Sequence, residues 1–218
     1  AMDMLSERLG LDPVALRRNN ALRVGSLTTT GQVLRESAGL LECIDRVDAE
    51  LRRLAGPRPF EARPVPGAPQ RRRAWGFAVG YKNTGLGGGA PDKAGAEVEL
   101  YADGRIQVRT ASAELGQGLP TVLQLIAAEE LGQAPECVSV LLSDTDLTPD
   151  GGPTTASRQT FVTGNAVRLA AQALRQALVS ELCERHDVAP EAVRFVEGLA
   201  QIDTPGQDTR LIPLARVA

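Results

Sequence analysis

RIQVRTASAELGQGLPTVLQLIAAEELGQAPECVSVLL, residues 105–142, decides the fold. Arg105 to Thr110 alternates through Ile106 and Val108, the period-two signature of a half-buried strand. The polar, glycine-bearing segment Ser112 to Leu119 follows it. A helix is then predicted from Leu119 to Leu131, with Pro120 in its first turn and Gly132 as its stop. Val138 to Leu142 is a short apolar run of the kind that forms a buried strand. This strand, loop, helix and strand in under forty residues predict a sheet with helices packed on it.

Upstream, Ala94 to Tyr101 alternates again, with Val98 and Leu100 against Glu97 and Glu99. Asp103–Gly104 between the two alternating runs is a strong hairpin signal, read as a type I′ turn with positive φ at both central positions. Ala74 to Tyr81 also reads as a strand. Downstream, the loop Ser143 to Arg158 leads to a long helix from about Thr160 to Arg185. Its apolar face is read as Val162, Ala166, Leu169, Ala173, Leu174, Ala177, Leu178 and Leu182. Val193 to Val196 and Ala200 to Ile202 suggest a terminal hairpin, and Pro213 onward the start of another helix.

Two short helices are predicted within residues 1–22. Met4, Leu5 and Leu9 carry the first, which Gly10 stops; Asp12 caps the second, with Pro13 at its first position. Leu40, Leu41, Ile44, Val47, Leu51 and Leu54 recur at intervals of three and four, giving a third helix that ends at Gly56. From Gly56 to Arg73 the sequence GPRPFEARPVPGAPQRRR is expected to hold neither ladder nor helix, because proline lacks the donor and restricts its predecessor. The division read from the sequence is a helical segment 1–55, a Pro/Arg-rich linker 56–73, an α+β core 74–211 and the start of a further element at 212–218. The fold class is α+β, with a mixed or antiparallel sheet and packed helices.

The 218 residues are 43% hydrophobic, 23% charged and 3% aromatic, which places the chain among ordinary globular proteins with an aliphatic core and excludes collagen, coiled coil and wholesale disorder. A net charge of −3 supplies no global basic field for nucleic acid. The run Arg71 to Arg73 reads as a solvated stretch. No apolar run approaches the ~20 residues of a membrane span, and the first 20 residues have no secretory character, so a cytoplasmic protein is expected. Cys43, Cys137 and Cys183 are too far apart for a metal knuckle and are expected to be small core residues. His186, the single histidine, reads as an exposed surface residue rather than a catalytic base.

Two loops could carry chemistry: Ser112 to Leu119 (SAELGQGL) and Asp144 to Thr160 (DTDLTPDGGPTTASRQT). Each leaves a strand and enters a helix, where backbone amides lack intrahelical partners and the helix dipole favours negative charge. Gly116 and Gly118 permit close approach of an anion, and Gln117 offers a carbonyl and an NH₂ group. Thr154, Thr155, Ser157 and Thr160 supply hydroxyls, and Arg158 a planar fork of donors. On spacing alone the alternative is a glycine turn and a capping segment. Glu114, Asp144, Asp146 and Asp150 match no calcium loop and read as loop solvation and caps, and Gly85 to Gly89 (GLGGG) as a connection between strands.

Residues 112–132 and 144–167 resemble the molybdenum cofactor-binding segments of the xanthine dehydrogenase and aldehyde oxidase family of molybdenum hydroxylases. LGLDPVALRRNNALRVGSLTTTGQVL, residues 9–34, resembles that family's helix and loop after its arginine-bearing glycine loop. The resemblance implies a molybdenum–molybdopterin cofactor, often extended in the family as a cytosine dinucleotide, and hydroxylation of an aldehyde or N-heterocycle with water as the oxygen source. It assigns Gly116, Gln117 and Gly118 to the pterin and phosphate region. Thr155, Ala156, Ser157, Arg158 and Gln159 fall to the second cofactor loop, with Thr155 and Ala156 nearest the metal. It also implies iron–sulfur and FAD modules on other domains or subunits, the rest of the molybdenum subunit as a partner, and a small-molecule substrate. The family's GGGFGG-like loop and its general-base glutamate are not matched. The chain therefore reads as a piece of a larger enzyme, incomplete for catalysis and inactive by itself, with a stand-alone phosphate-ligand or nucleotide-binding module as the competing reading.

Overall fold

Ile106, Val108 and Thr110 point to one side of their strand and are buried, while Gln107 and Arg109 alternate with them on a more open side. This strand is the middle of a three-stranded sheet in the computed structural model, which describes residues 1–87 and 89–217. Gly88 of the glycine loop and Ala218 of the terminal segment lie outside the described residues. The chain divides into two compact units, residues 1–82 and 83–218, each described by itself.

The first unit holds α1 (Met2–Leu9), α2 (Pro13–Asn19), α3 (Leu40–Ala55), β1 (Arg63–Val65) and β2 (Ala68–Arg73). Gly10 ends α1 in the left-handed conformation, and the Asp12 carboxylate accepts from the amides of Val14 and Ala15 to cap α2. Val14, Ile44, Leu51 and Phe77 form the core. One expectation fails here. The proline-rich stretch forms a hairpin, with Arg63 opposite Arg73 and a bulge between Pro64 and Val65. A two-stranded ribbon has only edges, so a proline's missing donor can face solvent without breaking a ladder. Residues 74–81, expected as a strand, belong to no strand.

The second unit contains β3 (Glu97–Leu100), β4 (Ile106–Thr110), α4 (Leu119–Leu131), β5 (Val138–Leu142), a wide π turn (Gln159–Thr163), α5 (Gly164–His186), β6 (Val193–Val196), β7 (Leu199–Ile202) and β8 (Arg210–Pro213). β3 pairs antiparallel with β4, and β4 pairs parallel with β5, so α4 is the crossover between parallel neighbours. The β3–β4 turn is not type I′, since Gly104 has φ 87° but Asp103 is not left-handed. Tyr101 instead donates to Arg105 O across a three-residue loop, and the Asp103 carboxylate accepts from the Arg105 amide.

Leu119, Leu123, Ala127 and Leu131 of α4 meet Val167 and Ala171 of α5 over Ile106 and Val108. The buried stripe of α5 is Val167, Ala171, Leu178 and Leu182, with Leu174 partly buried. Leu169, Ala173 and Ala177, assigned to that face from the sequence, are exposed. Small side chains face α4, where a Cβ on Gly164 would stand 2.9 Å from Ile126 Cδ1, so the larger Leu169 is turned outward. A second cluster of Leu178, Leu182, Phe195, Ile202 and Leu214 underlies the sheet β6–β7–β8. The last strand replaces the helix expected at Pro213: Pro213 pairs with Leu199, and only a single 3-10 turn, Leu214–Arg216, follows. Cys43 and Cys137 are exposed and Cys183 is intermediate, so none is a buried core residue. His186 is half-buried rather than exposed, with its Nε2 enclosed and unpartnered.

Candidate functional site

Because β4 and β5 are parallel, the segments that leave them emerge at the same end of the sheet, beyond the strands' C-terminal ends. Their two loops are tied directly. The Ala113 amide donates to Thr154 Oγ1 at 2.8 Å, and Ser112 Oγ donates to Gln159 Oε1 at 2.9 Å. Ser143 Oγ donates to the Ser112 carbonyl. Between the loops lies a cavity of about 410 Å³, lined by Leu115 and Gln117 from the first and by residues 154–160 from the second. That volume lies in the range of small-molecule sites.

The first loop does not present the free amides expected of it. Glu114 folds back over the start of α4, and its Oε1 accepts from Gly116 (2.5 Å) and Gly118 (3.1 Å) while Oε2 accepts from Leu119 (2.6 Å). Against a burial effect that would raise it, hydrogen bonds from Gly118, Gly116, Leu119 and Gln117 hold the Glu114 carboxyl below its ordinary value. Gln117 is likewise engaged, accepting from the Leu115 amide and donating to the Ala113 carbonyl. Gly116 and Gly118 have φ values of 100° and 76°, so their role here is to turn the chain so that one carboxylate reaches three amides. The reading of Glu114 as a cap holds, and so does that of Asp144, whose Oδ1 accepts from Asp146 and Leu147.

In the second loop the side chains divide into two sets. Arg158 is 1% exposed. Its Nε donates to Asp92 at 2.5 Å, its Nη1 to the Gly151 and Pro153 carbonyls at 2.9 Å each, and its Nη2 to the Lys93 carbonyl at 2.6 Å. The fork of donors expected to meet a phosphate is therefore spent inside the protein. Gln159, also buried, donates to Thr154 Oγ1 and the Pro153 carbonyl. Thr155, Ser157 and Thr160 are exposed, and their hydroxyls make no hydrogen bond within the described chain. Ala156 and Ser157, at φ 52° and 53°, are consecutive left-handed residues that are not glycine, a conformation costing on the order of 1 kcal/mol each.

Glycines make this packing possible at two positions. A Cβ on Gly151 would fall 2.9 Å from Ser112 Oγ, and one on Gly152 2.8 Å from the Lys93 carbonyl. Nothing in the local sequence marks Asp92 as part of this site. It lies 66 positions before Arg158, with no motif to announce the pairing. Among the described residues no group of three or more His, Cys, Asp or Glu side chains could hold a metal ion, and no helix is long and apolar enough to cross a membrane.

A mixed sheet with two strand-to-helix loops around one cavity makes up this α+β unit, and the model of the molybdopterin cofactor-binding domain matches residues 50–218. The chain belongs to that family. Aldehyde oxidoreductase of Megalodesulfovibrio gigas is 37% identical over 179 residues, covering 81% of this chain and 19% of the relative. The xanthine dehydrogenase molybdenum-binding subunit of Escherichia coli O157:H7 is 33% identical over 185 residues, 82% of this chain and 23% of that protein. Among solved structures, the aldehyde oxidoreductase from Desulfovibrio desulfuricans ATCC 27774 superposes with a TM-score of 0.52 at 31% identity, over 81% of this chain and 19% of that one. The chain thus spans about a fifth of the length of the relatives it matches.

Proposed function

We propose that this chain forms part of the molybdenum-binding subunit of a hydroxylase acting on an aldehyde or N-heterocycle, and that it contributes two loops to the cofactor site. One observation carries the reading: the loops matched by the family meet around a single cavity whose second side offers three uncommitted hydroxyls. The fit to an anionic cofactor is uneven. Thr155 and Ser157 lie just ahead of the helical stretch that opens at Gln159, and Thr160 stands in its first turn, where amides without a preceding helical carbonyl add to the donor set. They would hold a phosphate. The α4 end, already neutralised by Glu114, suits a neutral, hydrogen-bonding part of the ligand near Gln117.

When bound, the molybdenum cofactor supplies the transfer of a water-derived oxygen to carbon and accepts the two electrons released. This chain's residues bind and orient: Ser157 and Thr160 fix the anionic end, Leu115 and Gln117 form the opposite wall on the turn that Gly116 and Gly118 make, and Arg158 and Gln159 hold the second loop rigid from behind. None is assigned a proton-transfer role. Iron–sulfur and FAD modules, on other domains or subunits, would carry the electrons away, in keeping with a relative that is itself the molybdenum-binding part of a dehydrogenase. A cytoplasmic location belongs to the same proposal, supported by three cysteines carried as thiols. Metal and pterin analysis of the purified full-length protein is the test: stoichiometric molybdenum and pterin are expected, and their absence from protein made in a cofactor-producing host would overturn the reading.

A further inference from the structure

The second loop reverses direction through two left-handed residues that carry side chains, and one local bond closes that turn, from the Arg158 amide to the Thr155 carbonyl at 3.2 Å. No glycine occupies either position, and the one backbone bond made by this pair runs to a distant segment: the Gly85 amide donates to the Ala156 carbonyl at 2.8 Å. The same distant segment supplies Asp92 and the Lys93 carbonyl to Arg158, and the Gly95 amide to the Asp150 carbonyl. Gly85, Asp92, Lys93 and Gly95 thus touch the loop at its start, its middle and its reversal.

Arg158 is where these contacts converge. Its side chain is fully enclosed, and the Asp92 side chain is 21% exposed. Its four hydrogen bonds join two carbonyls of its own loop, Gly151 and Pro153, to two acceptors of the crossing segment. A planar guanidinium can bridge four acceptors in fixed directions, whereas an ammonium at the end of a flexible stem cannot. Gly152, whose Cβ would stand 3.0 Å from Nη2, leaves the guanidinium room to lie flat against the backbone.

We propose that the Asp92–Arg158 pair is a latch that holds the Ala156–Ser157 reversal in its left-handed form, making Arg158 a positioning residue for the cofactor loop and not a phosphate ligand. Its relevance to the cofactor rests on the function proposed above; the latch itself does not. With the latch closed, Ser157 lines the cavity in a fixed arrangement. With the latch open, the two residues relax towards ordinary backbone and that arrangement is lost.

The test uses the full-length protein with three variants: Asp92→Asn, Arg158→Lys and Ser157→Ala. Amide hydrogen exchange across residues 156–161 and 119–131 is read beside molybdenum content. Asp92→Asn is expected to speed exchange at 156–161 by about tenfold or more, the loss of one charge-assisted bond, while leaving 119–131 unchanged. Arg158→Lys is expected to do the same or more, and Ser157→Ala to lower molybdenum content without altering exchange. Faster exchange in Asp92→Asn and Arg158→Lys with metal content intact in all three variants upholds the latch and removes the cofactor reading. Unchanged exchange in Asp92→Asn overturns the latch, and if Arg158→Lys then loses molybdenum as Ser157→Ala does, Arg158 is a ligand after all. Should Arg158→Lys fail to fold, Asp92→Asn, which alters one partly exposed carboxylate, decides alone.

Discussion

The Glu114 carboxylate accepts a hydrogen bond from the amide of Leu119, five residues ahead, at 2.6 Å, so α4 begins with its own anion in place. An N-terminus that would otherwise attract a phosphate is satisfied from within. A pH dependence follows. Because the folded-state pKa of Glu114 is lowered, its stabilising contribution is present above the ordinary value of 4.5 and is lost as pH falls through the lower folded value. Glu114→Gln is expected to flatten this part of the acid limb, measured as urea midpoints above and below that pH. An acid limb identical to wild type would show that the cap contributes nothing.

Arg158→Met is expected to cost about 3–5 kcal/mol, because it strands Asp92 and removes the donor to three buried or half-buried carbonyls. From the sequence alone, a change of this arginine to alanine would be expected to alter stability by no more than roughly 1 kcal/mol, as for surface positions. Denaturant unfolding distinguishes the two, and the burial of the guanidinium favours the larger figure.

Gly132→Ala is expected to destabilise by about 3 kcal/mol or more. The new Cβ would lie 2.2 Å from the Phe195 carbonyl oxygen, a backbone atom that cannot swing aside, in a residue already at φ 60°. Gly116→Ala meets nothing within 4 Å and bears only the backbone strain of φ 100°. It should cost about 1–3 kcal/mol. Reversal of that order in melting temperatures would contradict the packing of α4's end against β6.

Ser157→Ala and Thr160→Ala in the full-length protein are each expected to lower molybdenum occupancy about tenfold or more if the hydroxyl meets an anionic oxygen, with stability within ~0.5 kcal/mol of wild type. Gln117→Ala, whose side chain bonds its own loop, is expected to lower occupancy less than either. Metal content and melting temperature measured together make the comparison. Full occupancy in Ser157→Ala and Thr160→Ala alike would remove the phosphate assignment from the second loop.

The elements legible in the sequence are those set by short-range rules. α4 runs from Leu119 to Leu131 between a proline and a glycine, β5 from Val138 to Leu142, and α2 starts after Asp12, all where period and capping residues place them. The ribbon of residues 63–73 was not legible because proline's prohibition applies to inner strands, and only tertiary structure decides that a strand is an edge. The outward Leu169 was not legible either, since period shows that a helix has two faces but not which one meets a neighbour's small residues.

The sequence by itself determined that two glycine- and hydroxyl-bearing loops would each follow a strand and open a helix, because strand period, helix caps and turn residues act within a few positions of one another. Only the tertiary structure decided which donors remain for a ligand. Arg158 and Ser157 are neighbours of equal promise in the chain, yet one is consumed by an aspartate 66 positions away and the other is exposed. A hydrogen bond is spent by whatever acceptor the fold brings within about 3 Å, and that depends on the path of the whole chain and not on local sequence.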